Sequence, residues 1–188
     1  QDAPPRYAGA NDKGFLLPNG WTITPAGRQV TLTDLPLNIL PSRDSKTALV
    51  ATSGYNAHEL SLVDLRSGEI LSKILARQSW YGLARLNDPD AETLLWSGAG
   101  ADCHHVVQRV DRVLKRVGDG DPTAPGVASK LTGHFRSGIA AHPSINAYAW
   151  LDMEAGKLVV QKPGQDPEVV TYDAGKRPYD VAFSRDGK

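Results

Sequence analysis

The sequence is short of several things. It has one cysteine, Cys103, and one methionine, Met153, in 188 residues. A single cysteine excludes an internal disulfide and removes cysteine spacing as a guide to compartment. An excess of one charge is missing, since 21 Lys+Arg balance 21 Asp+Glu. Without a basic field to gather phosphates, no nucleic-acid partner is expected. No apolar run approaches the ~18 residues of a membrane-crossing helix, so no membrane span is expected. The motifs C-x-x-C, C-x-x-C-H, H-E-x-x-H and G-x-S-x-G, the P-loop and the dinucleotide fingerprint are all absent. They would supply metal ligands, a covalent haem, a nucleophile or a phosphate cradle. No catalytic residue or metal set is therefore assigned, no cofactor is named, and the segment is expected to be non-catalytic.

Glycine (18) and proline (13) are plentiful and spread along the chain, and aromatics make up only 7%. Frequent turns between short apolar runs predict an all-β protein. The segment LPLNILPSRDSK (35–46) matches RPYDVAFSRDGK (177–188) at an offset of 142. Weaker copies lie between them, at WYGLARL (80–86) and RSGIAA (136–141). The successive periods are 44, 56 and 42, the range of propeller blades and of helical repeats. The content of residues 35–77 decides between them. LNILPS, TALVATSGY, ELSLVDL and EILSKILA are four short strands separated by turns, and no window carries a 3.6-residue period. Repeated four-stranded meanders make a β-propeller.

The blades are assigned as residues 35–77, 78–130 and 131–176, with 177–188 starting the next. Residues 1–14 form an N-terminal extension. Residues 15–34 are read as an outer half-blade of strand, turn at Gly27 and strand, which closes the ring. In the second blade HVVQRVDRVL is taken as one third strand, and 115–130 as a loop insertion or a fourth-strand excursion. The chain is expected to be about half of a seven-bladed ring. An open half-ring would expose two sheet faces, so the remainder of its own chain or a second copy is the expected partner. The opening QDAPPRYAGA resembles what remains after a signal peptide is removed, which points to export, periplasmic or extracellular.

The pattern P-x-[ND]-[IV]-A-x-S-x-D-G-K, nearly complete in RPYDVAFSRDGK, resembles the YVTN-type seven-bladed β-propeller repeat. LLPNGWTITPAGRQVTLTDLPLNI, SGYNAHELSLVDLRSGEI and SWYGLA resemble, more specifically, the N-terminal propeller of bacterial exported proteins that carry an alkaline-phosphatase-like phosphoesterase domain. That resemblance covers nearly all of residues 14–97 and then thins to the repeat alone. It implies a binding or interaction domain upstream of the phosphoesterase. The ligands and nucleophile of the phosphoesterase lie in that other domain, so no residue here inherits them. Two alternatives stand beside it, a lactonase-like hydrolase working at the channel mouth and a surface-layer or self-assembling propeller.

Five residues are candidates for binding at the channel or rim: Asn38, His58, His105, His134 and Asp180. Asn38 and Asp180 begin inner strands, with Gly82 and Gly138 at the same repeat position. A protein or small-molecule ligand at the channel is expected to meet them. His58 and His105 lie 47 residues apart and are taken as equivalent positions in adjacent blades, with His134 near another. In DCHHV (102–106) the adjacent histidines should point to opposite faces of a strand. The plain expectation is a buried Cys103 and two loop histidines. Asp64 and Asp111 recur at a strand-to-turn step, which marks them as architectural. GDGDP (118–122) lacks the spacing of a calcium loop and is expected to be a solvated turn.

Overall fold

A computed structural model describes residues 7–99, 104–117, 135–161 and 170–187. His134, Asp102, Cys103 and the GDGDP segment lie outside the described residues. The chain divides into two compact units, Gln1–Thr31 and Leu32–Lys188.

The first unit holds a three-stranded antiparallel sheet of β1 (Gly9–Asn11), β2 (Gly14–Leu16) and β3 (Thr22–Ile23). The half-blade read over 15–34 takes a different form. Gly27 does turn, with φ 81, but residues 24–35 contain no strand. Alternation in VTLTD supplies a side-chain pattern only. A strand also needs a neighbour to take its N–H and C=O groups, and no ladder reaches this stretch.

The second unit is built from three four-stranded antiparallel sheets in sequence order. The first is β4 (Pro36–Pro41), β5 (Thr47–Thr52), β6 (His58–Asp64) and β7 (Ile70–Ala76). The second is β8 (Leu83–Arg85), β9 (Glu92–Ser97), β10 (His104–Val110) and β11 (Val113–Arg116). The third is β12 (Arg136–Ala141), β13 (Tyr148–Asp152), β14 (Lys157–Gln161) and β15 (Val170–Asp173). Each sheet is a meander, and the fold is all-β, a β-propeller of four-stranded blades. Residues 177–187 form no ladder and end in a turn closed by Gly187 N–H to the Ser184 carbonyl, 2.9 Å.

The turns follow from the aspartates. Asp64 Oδ1 accepts the N–H groups of Arg66 and Ser67, both at 2.9 Å. Asp152 does the same for Glu154 and Ala155, and Asp44 for Lys46 and Thr47. Each carboxylate thus replaces ladder partners where the chain reverses. Asp111 acts differently. The stretch taken as one third strand is folded in half, with Val110 paired to Val113 across Asp111–Arg112. Asp111 has φ 54, a left-handed conformation that Asp tolerates better than most side chains. The fourth strand therefore comes immediately, inside the run read as the third.

The core lies between the sheets. One cluster joins Leu49, Ala51, Leu60 and Leu62 of the first blade to Leu83, Leu94, Trp96 and Val107 of the second. The other joins Ala84, Leu86 and Leu95 of the second blade to Ile139, Tyr148, Trp150 and Val159 of the third. The middle sheet alternates its side chains between the two clusters, which is why consecutive residues such as Leu94, Leu95 and Trp96 are all apolar and buried. The expectation of two open faces holds only in part. On the first blade's other face the two middle strands are buried, at Ala48, Val50, Ser61 and Val63, while Ile39 of β4 and Leu75 of β7 are 60% and 59% exposed. On the third blade Tyr172 remains 53% exposed.

Candidate site at the inner-strand mouth

Strands alternate in direction. The beginnings of all the inner strands therefore lie at one end of the blades, with the loops 53–57 and 153–156 and the connections 77–82 and 174–178. Four candidates fall at this end.

Asn38 Nδ2 donates to the carbonyl of Tyr81, 2.8 Å, linking the first inner strand to the second. Gly82, at the next repeat of that position, packs directly on the third inner strand. A Cβ there would collide with the Ser137 carbonyl oxygen and lie 2.9 Å from Ser97 Oγ. Gly138 repeats the contact one blade on, with Asp180 Cα 3.0 Å from where its Cβ would be. The structure thus brings Asn38, Gly82, Gly138 and Asp180 into one succession along the inner edge. The glycines serve close backbone approach.

Tyrosines complete the group. By the repeat offsets Leu37, Tyr81, Ser137 and Tyr179 share one position. Tyr81 and Tyr179 are two repeats apart, yet their rings stack at 4.7 Å and 10°. Ser137, between them, is small and turns aside to donate to the Pro178 carbonyl, 3.0 Å. The Tyr81 hydroxyl donates to the Tyr179 carbonyl. Burial first, and then the Asp180 carboxylate, push its pKa up, so it stays a neutral donor. Asp180 Oδ1 accepts the Val181 N–H, 2.8 Å, and the side chain is exposed. The tyrosines carried no motif and were missed. The only trace in the sequence was their shared repeat position.

The histidines have another role. The pairing register makes His105 the counterpart of Ser61, because Val50 faces Ser61 as Trp96 faces His105. The 47-residue equivalence of His58 and His105 is therefore corrected to a 44-residue offset along the third strand. The loop between second and third strands shortens from the first blade to the second, which the spacing of histidines could not reveal. The two side chains nevertheless converge on one connection. His58 Nδ1 accepts the Ser79 N–H at 2.8 Å, and His105 Nε2 lies 2.8 Å from the Gln78 carbonyl oxygen.

His104 and His105 belong to β10, point to opposite faces and are both buried, rather than lying in a loop. His104 sits between the second and third blades, beside Arg136 and edge-on to Tyr148 at 5.6 Å. Arg136, fully buried, stacks over the Trp150 ring at 3.7 Å. Burial and the adjacent guanidinium hold the His104 pKa well below its ordinary value. Its Nδ1 accepts from Arg136, so the ring is neutral with its proton on Nε2.

No family model matches the sequence, and no curated protein matches it. Solved structures do match. A functionally unknown protein from Desulfotomaculum acetoxidans is 17% identical with a TM-score of 0.61, over 79% of this chain and 45% of that one. The Swd1 β-propeller domain of Myceliophthora thermophila Cps50 is 16% identical with a TM-score of 0.58, over 81% and 48%. Kuenenia stuttgartiensis hydrazine synthase is 14% identical with a TM-score of 0.60, over 86% and 56%. At such identities the likeness is one of fold. The chain spans about half the length of the chains it matches.

Proposed function

We propose that the chain is a binding module, part of a larger β-propeller that presents the inner-strand mouth to a ligand or protein partner. The observation that carries this reading is the convergence of Asn38, Tyr81, Tyr179 and Asp180 there, with Tyr179 55% exposed. A hydrolase working through His58 or His105 at this mouth would need that histidine free to move protons. His58 and His105 are instead held by the 78–79 connection.

On this reading the ring is of the YVTN type, seven-bladed, exported, and associated with a phosphoesterase domain. Further blades come from the rest of its own polypeptide or from a second copy. Support comes from the half-length overlap with the matched structures and from the partly exposed apolar side of the third blade, Leu158, Val160 and Tyr172. Mass spectrometry of the protein from its source, under native and denaturing conditions, tests it. A polypeptide longer than 188 residues, or a native particle holding a second chain, is expected. A lone 20.2 kDa species that is folded and monomeric would overturn ring completion.

A further inference from the structure

Asp180 makes no ion pair among the described residues, although Lys176 and Arg177 precede it closely in the chain. It is an exposed carboxylate with one oxygen engaged by its own backbone. Tyr81 stacks ring to ring on Tyr179, and burial, helped by the nearby Asp180 carboxylate, holds its pKa up. The stack does not use the Tyr179 hydroxyl, and the Tyr81 hydroxyl donates to the backbone carbonyl. The Tyr81 ring covers one side of Tyr179, and that residue is still 55% exposed. An aromatic face next to a carboxylate lacking a countercharge attracts a cation through the ring quadrupole and through charge-assisted hydrogen bonds. The neutral phenol of Tyr81 gives its one proton to the Tyr179 carbonyl, so it cannot replace that cation. Stacking across the intervening blade also fixes the ring in place, so a ligand would meet an ordered surface.

We propose that Tyr81, Tyr179 and Asp180 bind a guanidinium or primary ammonium group at the inner-strand mouth. This inference rests on the reading of the chain as a binding module and names the ligand chemistry of that site. The group could belong to an arginine or lysine side chain of a protein partner or to a free small amine.

Ring resonances of Tyr81 and Tyr179 would be followed by NMR during titration to tens of millimolar. The probes are N-acetyl-arginine amide, its uncharged citrulline analogue, putrescine and maltose. Saturable shifts with the arginine probe, and none with citrulline, are expected. Asp180→Asn and Tyr179→Leu should each weaken binding about tenfold, and Tyr179→Phe should keep it. Tryptophan emission of each variant checks that it is folded. A preference for the arginine probe indicates a side chain of a partner; a preference for putrescine indicates a free amine. Equal binding of citrulline, preference for maltose, or no shift with either cation would overturn the proposal. A ring shown complete by mass but silent to cations would overturn this inference alone.

Discussion

Mild acid should weaken the packing between the second and third blades, and His104 should be the reason. The ring is fully buried against Arg136, and its folded pKa is held well below the ordinary histidine value by burial and by that guanidinium. In the unfolded chain it titrates near ~6.5. Above that value the ring is neutral in both states, and its full contribution to stability is present. As pH falls below ~6.5 the unfolded state gains a proton that the folded state does not, and stability drops. The loss runs at about 1.4 kcal/mol per pH unit until the folded pKa is reached. Between pH 7 and pH 5 it comes to at most about 2 kcal/mol, a large share of a typical margin of about 5–15 kcal/mol. Urea unfolding at pH 7, 6 and 5, read by tryptophan emission, measures it, since Trp96 and Trp150 are fully buried. His104→Asn retains an acceptor facing Arg136 but cannot titrate. It should lower stability at pH 7 and flatten the slope between pH 7 and pH 5. The other four histidines are common to both proteins, so the difference isolates His104. Equal slopes in the two proteins would refute the neutral, buried ring.

Gly82→Ala should destabilise the chain by about 2–4 kcal/mol, because its methyl group meets backbone of the next blade, which cannot yield cheaply; thermal unfolding measures this, and an unchanged midpoint would contradict the close approach. His58→Ala and His105→Ala should each cost about 1–2 kcal/mol, and together less than the sum, since both hold residues 78–79. Unchanged stability in both would return them to the list of ligand-binding residues. Arg109 joins Asp44 at 2.6 Å and Glu92 at 3.1 Å across the first two blades. Its hydrogen bond, the leading cause, holds the Asp44 carboxyl well below the usual range. That part of stability is present above the unfolded value of ~3.9 and is lost as pH falls through the lower folded value. Acid unfolding of Asp44→Asn should lack this component, and an acid limb identical to that of the parent protein would refute the pairing.

The sequence by itself determined the β class, the meander of each blade and the repeat frame. These depend on local properties: turn residues, alternation, and spacing that one chain displays without reference to any other. It also placed Asn38 and Asp180 at one repeat position, and the structure sets them along one edge with Gly82 and Gly138 between. Tertiary structure alone decided what side chains do between blades. The Asp111 turn was hidden because Asp-Arg is a weak turn signal, and the fourth strand it opens became visible only through its ladder with β10. The equivalence of the two histidines depended on loop length, which a count along the chain absorbs without trace. The stack of Tyr81 on Tyr179 spans 98 residues and skips a blade, so no window of sequence contains both rings. Pairing across sheets is set by which faces become adjacent, and adjacency is created only when the blades pack.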